Sequence, residues 1–427
     1  MIFKLLAGRA DEAAVVKIKQ LNYMIRFAND DITVFKNWQS ENTFIYLSKA
    51  RKTAFVGVTG PPTVEKIEEA VKSLASLPED PLYIPLGGPQ PAKYHEPPED
   101  FSKLPDLVKT AVDSAQGVER SAGVVHLAYV TVTYEDTAGR EGSYSVNRIY
   151  MTMRSFLGEL SATSAAAGRR IGDIKAERLG EENSHILRLA KGLPQTRAEP
   201  SRTSLLLTPL VFGHIISEIA AVWASGSEIL AGSSRYTKDD LGREVASPLL
   251  TVIDITHSQE AFGYTPFDME GLTPRPVDVY KKGVLAGFLH TRRTAHALGM
   301  EPTGHALYNW TRPTPGHVYI APGDGGTDVE DLFRELKNGV YIHNNWYTRF
   351  QNVKTGQFST VGRDVALEVK NGKPAAVIKY IRIADTLENV AKNVALLSKE
   401  TKQVYWWDMP TPTHSPYAIL NNIGITT

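Results

Sequence analysis

The chain has 427 residues, 42% of them hydrophobic, enough to bury a sizeable core and to fold as two domains. Lys plus Arg and Asp plus Glu number 47 each, so no net field draws the chain to phosphate backbones or anionic lipid, and neither nucleic acid nor membrane is expected as a partner. The absence of cysteine excludes disulfides, thiolate metal sites and a cysteine nucleophile.

Residues 1–7 are apolar only briefly before a charged run, which fits neither a secretion nor a transit signal, and the expected location is cytoplasmic. Apolar residues at Val15, Ile18, Leu21, Met24, Ile25 and Ala28, with Asp11 and Glu12 ahead of them, predict a helix over 10–28. Ile32–Phe35, Thr43–Leu47 and Ala54–Val58 read as an antiparallel meander stopped at Gly60-Pro61-Pro62. A second helix is predicted over Val64–Leu77. Between Pro81 and Pro98, prolines recur around a Gly87-Gly88 pair. Proline lacks the backbone donor and fixes φ, so a surface loop is expected there. Leu104–Ala115 predicts a third helix, and Val124–Tyr134 with Gly142–Met153 a long hairpin turning at 136–141. Ile171–Lys191 reads as helix ended by Gly192-Leu193-Pro194. The polar, proline-bearing stretch that follows is the expected boundary between an N-terminal domain, 1–197, and a C-terminal domain, 198–427.

In the second half, Leu205–Ala224 predicts a buried helix entered through Thr208-Pro209, a good cap followed by a first-position proline. Pro209, His214 and Glu218 make it too polar for a membrane span. An apolar strand, the acidic glycine loop P-F-D-M-E-G ending at Gly271, a hairpin around Lys282-Gly283, a short helix and a glycine turn occupy 241–306. Strands dominate the remainder, with one clear helix, Asp328–Asn338, closed by Gly339. Helices and strands mix without regular alternation, which predicts an α+β fold.

Several groups carry chemistry. His214 and Glu218 lie four apart on a helix and face the same side: the pair reads either as two ligands to an ion or as a histidine–carboxylate contact on a buried helix. Asp268 and Glu270 alternate, so an extended segment would put both carboxylates on one face toward a substrate amine or a basic partner. In a tight turn closed by Gly271 they would instead accept backbone amides. His290, His296 and His305 read as scattered surface histidines. The glycine-rich Pro322–Asp328 stretch lacks G-x-x-x-x-G-K-[ST] and reads as an N-cap turn. No G-x-S-x-G elbow occurs, which leaves Ser359 a turn hydroxyl. Tyr405, Trp406 and Trp407, read as a strand, would send one ring inward and leave another for a partner or peptide.

The segments P-F-D-M-E-G-L-T, Y-K-K-G-V-L-A-G-F-L, A-H-A-L-G-M-E-P-T-G-H-A and T-G-Q-F-S resemble the C-terminal half of the TldD/PmbA family, with Phe267, Asp268, Glu270, Gly271, Gly304, Gly356 and Ser359 at its signature positions. The resemblance covers roughly Thr203–Ile425 well and the first half only in the order of its elements. It implies an α+β N-terminal domain, a strand-rich C-terminal domain and a dimer enclosing a large cavity. The family's catalytic branch carries H-E-x-x-x-H on the buried helix, two histidines holding zinc and a glutamate polarising water, with a further ligand from a cysteine near the C-terminus. Here the helix reads P-L-V-F-G-H-I-I-S-E-I and cysteine is absent, which is similar to the metal-free PmbA branch, also called TldE. The resemblance therefore implies a non-catalytic subunit, or an inactivated homologue, of a cytoplasmic TldD-type zinc metallopeptidase that degrades unfolded peptides. No cofactor is expected in this chain, with zinc held by a TldD-like partner. The dimer partner would be that paralogue or a second copy. The alternatives are a divergent, self-sufficient metallopeptidase using His214, Glu218 and a further ligand, or a regulatory peptide- or protein-binding protein. Part of the family has been called a modulator of DNA gyrase.

Overall fold

Long stretches of β-branched and aromatic residues in the first half pair into one sheet. The computed structural model describes Phe3, Leu6 and residues 8–427, so the apolar start at 1–7 lies largely outside the described residues. The first sheet holds β1 (Glu12–Ala28), β2 (Asp31–Lys49), β3 (Lys52–Thr59), β4 (Lys93–His95), β5 (Arg120–Asp136), β6 (Glu141–Leu157) and β7 (Leu160–Gly168). Its order is β3-β2-β1-β5-β6-β4, with β7 also on β6. Helix α1 (Val64–Ser76) packs Ile67, Ala70 and Leu74 against Ala13, Val15 and Leu47. Helices α2 (Leu104–Ser114) and α3 (Ala176–Ala190) cover Ile25, Phe27, Val125 and Met151 with Val108, Ala111 and Leu179.

The helix expected over 10–28 is instead β1, hydrogen-bonded along its length to β2 on one side and β5 on the other. Its apolar residues serve two cores: Ala13 and Val15 meet α1, while Ala14 and Val16 join Tyr46, Tyr134 and Phe267 on the other face. Burial on both faces removes the polar–apolar alternation of a half-exposed strand, and the residual spacing mimics a helical one. The first two strands expected in the meander are parts of the single strand β2. The proline-dense loop is more than surface: Lys93–His95 adds a short parallel strand to β6, and Leu86, Ala92 and Tyr94 pack against the second core. Residues 171–191 divide into a 3₁₀ turn, Ile171–Asp173, and α3.

The second sheet contains β8 (Gln195–Arg197), β9 (Ser201–Leu207), β10 (Val252–Asp254), β11 (Val277–Lys281), β12 (Val284–Leu285), β13 (Val318–Ile320), β14 (Gly339–Asn352), β15 (Gln357–Lys370), β16 (Lys373–Lys379), β17 (Arg382–Thr386), β18 (Val394–Val404) and β19 (Thr413–Thr426). Pairing closes on itself: β19 bonds β9, β9 bonds β14, β14 bonds β15, β15 bonds β17, and β17 returns to β19. Helices α4 (Pro209–Glu218), α5 (Gly226–Leu230), α6 (Arg292–Leu298), α7 (Val329–Leu336) and α8 (Leu387–Lys392) accompany these strands. The fold is α+β with two sheets.

The helix expected from Leu205 starts four residues later, because Leu205–Leu207 pair with both β14 and β19 as the end of β9. Thr208 makes the switch: its hydroxyl accepts the Val211 N–H at 3.4 Å and donates to the His343 carbonyl at 2.8 Å. Pro209 occupies the first turn. After Glu218 the helix widens into one π turn, Ile219–Trp223. The expected helix over 328–338 is α7, ended at Lys337 with φ 60°, while Gly339 already begins β14.

Gly356, one of the signature glycines, shows why that position excludes a side chain. Its φ is +66°, and a Cβ would stand 2.2 Å from the Trp223 ring. Trp223 is fully buried and its Nε1 donates to the Val353 carbonyl at 2.8 Å, so the indole cannot retreat. Gly356→Ala is expected to lose about 3 kcal/mol of stability by urea unfolding, left-handed strain and overpacking adding together. Trp223→Phe in the same background should recover part of it; equal losses with and without that change would disprove the clash.

Candidate functional site

Helix α4 is apolar on all sides and packs among β14, β18 and β19, so whatever polar group it carries is forced into the interior. That group is His214, fully buried. Its Nδ1 lies 3.2 Å from Asn345 Nδ2, while Nε2 has no hydrogen-bond partner and faces Glu218 Oε1 at 4.0 Å. Asn345 also donates to Thr348 at 3.3 Å and Thr360 at 3.0 Å, which locks the amide between strands. Asp408 completes the cluster: its carboxylate accepts the Thr348 N–H at 3.5 Å and pairs with Arg349 at 3.7 Å.

Electrostatics separate the two residues on the helix. Burial pushes the Glu218 carboxyl up to about 7, Asp408 adding to the effect and Arg349 opposing it. Burial drives His214 down to about 4, against the attraction of Asp408 and the Asn345 contact. At neutral pH the pair is a neutral imidazole beside a carboxyl poised between its two forms.

The surrounding backbone is irregular. Strand β14 shifts register against β15 between Ile342 and Asn344 and again between Trp346 and Arg349. Within the second shift Tyr347 has φ 55°, in the left-handed region that costs a bulky side chain strain. The shift carries Tyr347 outward, 44% exposed, edge-on to Trp407, which is 59% exposed. Trp406 is buried, so one tryptophan of the pair points in and the other out. The chain there is a turn following β18 rather than the expected strand.

The signature loop lies elsewhere and forms a different kind of structure. Asp268 accepts N–H groups from Glu270 at 2.9 Å, Leu272 at 3.0 Å and Ala306 at 2.9 Å, and Gly271 N–H returns to the Asp268 carbonyl at 3.0 Å. Glu270 accepts the Arg292 N–H at 2.8 Å at the start of α6. Both carboxyls are buried. Burial, with Asp268 adding its charge, raises Glu270 to about 8, while three amides oppose the upward shift of Asp268. Phe267 packs edge-on to Tyr134 and Tyr144 of the first sheet. Gly304, at φ +73°, leaves only 2.7 Å between an added Cβ and the Pro274 backbone. Ser359 lies within β15, not in a turn, and its hydroxyl is met by Gln351 at 3.1 Å and Arg382 at 3.2 Å.

The histidines expected at the surface divide. His296 is exposed, but His290 and His305 are buried. His305 Nε2 stands 2.9 Å from Asp254 Oδ1, a carboxylate that also accepts the Gly316 and Thr256 N–H groups. Burial pushes Asp254 up, but His305 and these donors outweigh it and leave the carboxyl below its ordinary range. Proximity in sequence gave no hint of this pair, whose members are 51 residues apart.

A catalytic zinc site takes three protein ligands and an open position for water. On α4 the turn before His214 offers Pro209 and Leu210, neither a donor. His214 and Glu218 supply two groups, and Asp408 is engaged by Arg349 and Thr348. Among the described residues no three histidine, aspartate or glutamate side chains gather at metal-binding distances. The donor set does not fit a zinc–water centre.

Two sheets, with an apolar helix presenting one buried histidine beside a bulged, aromatic-bearing strand, define an α+β architecture with one enclosed polar cluster. The chain belongs to the PmbA/TldA metallopeptidase family: the PmbA/TldA metallopeptidase C-terminal domain matches residues 200–427. It is 28% identical over 294 residues to the metalloprotease MJ0996 of Methanocaldococcus jannaschii, covering 64% of this chain and 62% of that protein. It is 24% identical over 418 residues to a metalloprotease PmbA homolog of Haemophilus influenzae, covering 92% of this chain and 88% of that one. In structure it resembles TldE from Thermococcus kodakarensis with TM-score 0.80 over 100% of both chains at 17% identity, a likeness of fold.

The raised Glu218 carboxyl has a consequence for stability. A carboxyl at about 7 in the folded chain and near 4.5 unfolded binds its proton more tightly when folded, so stability falls as pH rises from about 4.5 to about 7 and stays lowered above. Glu218→Gln should therefore stabilise the protein at pH 8 by about 3 kcal/mol and leave it unchanged at pH 4. Urea unfolding at the two pH values checks this, and an equal effect at both would show that Glu218 is not shifted.

Proposed function

We propose that this chain is a TldE/PmbA-like, non-catalytic subunit of a cytoplasmic metallopeptidase assembly. One observation carries the reading: the buried helix holds a single imidazole, with proline and leucine on the turn before it, where a zinc site would need its other donors. A zinc peptidase centre needs a further nitrogen ligand beside the first, and α4 supplies none but His214. In this reading a TldD-like paralogue brings zinc and the general base, this chain needs no cofactor of its own, and unfolded peptide is the substrate. The partner is that paralogue or, in a homodimer, a second copy. The balanced formal charge supports the nucleic-acid-independent part of the reading.

A second reading has one observation in its favour. The unpartnered Nε2 of His214 faces Glu218, with Asp408 in the same cluster, so a divergent ligand set would start from these residues. A regulatory peptide-binding role without proteolysis makes a third prediction, of binding without turnover even beside a paralogue.

Metal content separates these. After exposure to zinc and dialysis, the purified chain is expected to retain no stoichiometric metal and to leave an unfolded peptide intact. Cleavage should appear when the chain is purified together with a TldD-like paralogue. Stoichiometric zinc that disappears in His214→Ala would overturn the subunit reading in favour of a self-sufficient enzyme, and a paralogue complex without peptidase activity would overturn it in favour of a regulatory one.

A further inference from the structure

A line of aromatic rings crosses from the first sheet to the α4 cluster, and nothing in the peptidase reading assigns it. It begins at Trp38 on β2, which stacks on His126 of β5 at 5.5 Å between ring centres. His126 lies 5.5 Å from Tyr150 of β6, and Tyr150 meets Tyr405 edge-on at 5.4 Å. Tyr405 also stacks on Phe262 at 5.1 Å. The chain then carries the line through buried Trp406 to Trp407, which is edge-on to Tyr347 at 6.2 Å, with Trp346 a further 4.5 Å away. All but Trp406 are partly or well exposed.

Three features say what the line is for. First, the line is not sealed off as a core would be: Tyr347 and Trp407 are 44% and 59% exposed, the other rings except Trp406 are partly buried with a face left at the surface, and the line ends at a strained, outward-turned tyrosine; exposed rings so grouped mark an interaction surface. Second, cations sit over its two ends: Lys36 Nζ is 5.4 Å from the Trp38 ring, Arg349 5.2 Å from Tyr347, and Arg363 3.9 Å from Trp346. Third, the centre-to-centre steps of 4.5–6.2 Å along the line approach the roughly 6.5–7 Å between same-face side chains of an extended chain. Residues 31–40 of β2 pair only with β1, so a free backbone edge runs beside Trp38.

We infer that this band is a binding track for an extended polypeptide whose aromatic or apolar side chains lie on the rings and whose acidic groups meet the flanking cations. The occupant rests on the peptidase reading only in agreeing with its substrate class. Single-stranded nucleic acid would also stack on rings, but the free backbone edge of β2 beside Trp38 offers amide and carbonyl groups that pair with a polypeptide backbone and have no counterpart in a sugar-phosphate chain.

The test uses the isolated chain without metal or partner, so its outcome is independent of whether any assembly cleaves peptide. Fluorescence anisotropy would follow a fluorescein-labelled peptide of alternating Phe and Glu, and an oligo-dT of similar length. Saturable peptide binding is expected. Trp407→Ala and Tyr150→Ala should each weaken it about tenfold, while Tyr380→Ala, at an exposed ring outside the track, leaves it unchanged. Thermal melts of Trp407→Ala, whose ring is largely solvent-exposed, establish that the loss is not one of folding. No saturable binding, equal affinity in all four proteins, or oligo-dT bound in preference with the same pattern of losses would each overturn the assignment.

Discussion

The enclosure of α4 is the constraint on which the C-terminal half depends. Ten residues with almost no polar character can be stable only where strands surround them, and the closed pairing of β9, β14, β15, β17 and β19 provides that setting. The helix enters through Thr208, whose hydroxyl serves its own first turn and the His343 carbonyl of β14 together. One side chain thus fixes both the helix start and its depth against the strand that carries Asn345. Because the registration is set there, His214 reaches Asn345 without any tolerance for a shift of a turn. The irregularities of β14 fall where its second partner is lost: it pairs with β15 from Gly339 to Asn352 but with β9 only at 340–342, and its register shifts come after that, on the strand that packs against α4.

The buried acidic residues illustrate two opposite solutions to one problem. Asp254 and Asp268 are surrounded by backbone N–H groups, and for Asp254 a histidine adds to them, so buried charge is satisfied locally and the carboxylates act as knots for the loops around them. Glu218 has no such donors. It sits where the helix widens into a π turn, and only the distant balance of Asp408 against Arg349 modulates its charge. A carboxyl left in that condition costs stability whenever it ionises. The signature loop therefore reads as architecture and the α4 cluster as the place where the fold tolerates an expense it does not need for folding.

What the sequence disclosed and what it hid follow from the same physics. The hairpin of β5 and β6, α1, α2 and the Thr208-Pro209 helix start were legible because each is marked locally, by alternation, by a 3.6-residue period or by a cap. Strand β1 was not, since a central strand buried on both faces loses its alternation. Leu205–Leu207 were absorbed into the helix because three leucines are equally at home in a buried strand or a buried helix, and only pairing with β14 and β19 decides. The signature residues were visible as a pattern, but their reasons were not: Gly356 is explained by an indole more than a hundred residues away in sequence, and Asp268 by the amide of Ala306. Of the α4 cluster, His214 and Glu218 could be found by their spacing. Asn345, Arg349 and Asp408 could not, because they are brought in by the second sheet.

The aromatic track and the α4 cluster meet at one strained residue, Tyr347, within the C-terminal half. Tyr347 is held at positive φ by the register shift in β14, and the shift falls on the strand that packs against α4. Relaxing the shift would return Tyr347 to the strand face, detach its ring from Trp407 and move Arg349 off Asp408, and with it the charge that opposes the upward shift of Glu218. The outer ring pair and the inner acidic cluster therefore share one stretch of β14, through Tyr347 against Trp407 and Arg349 against Asp408.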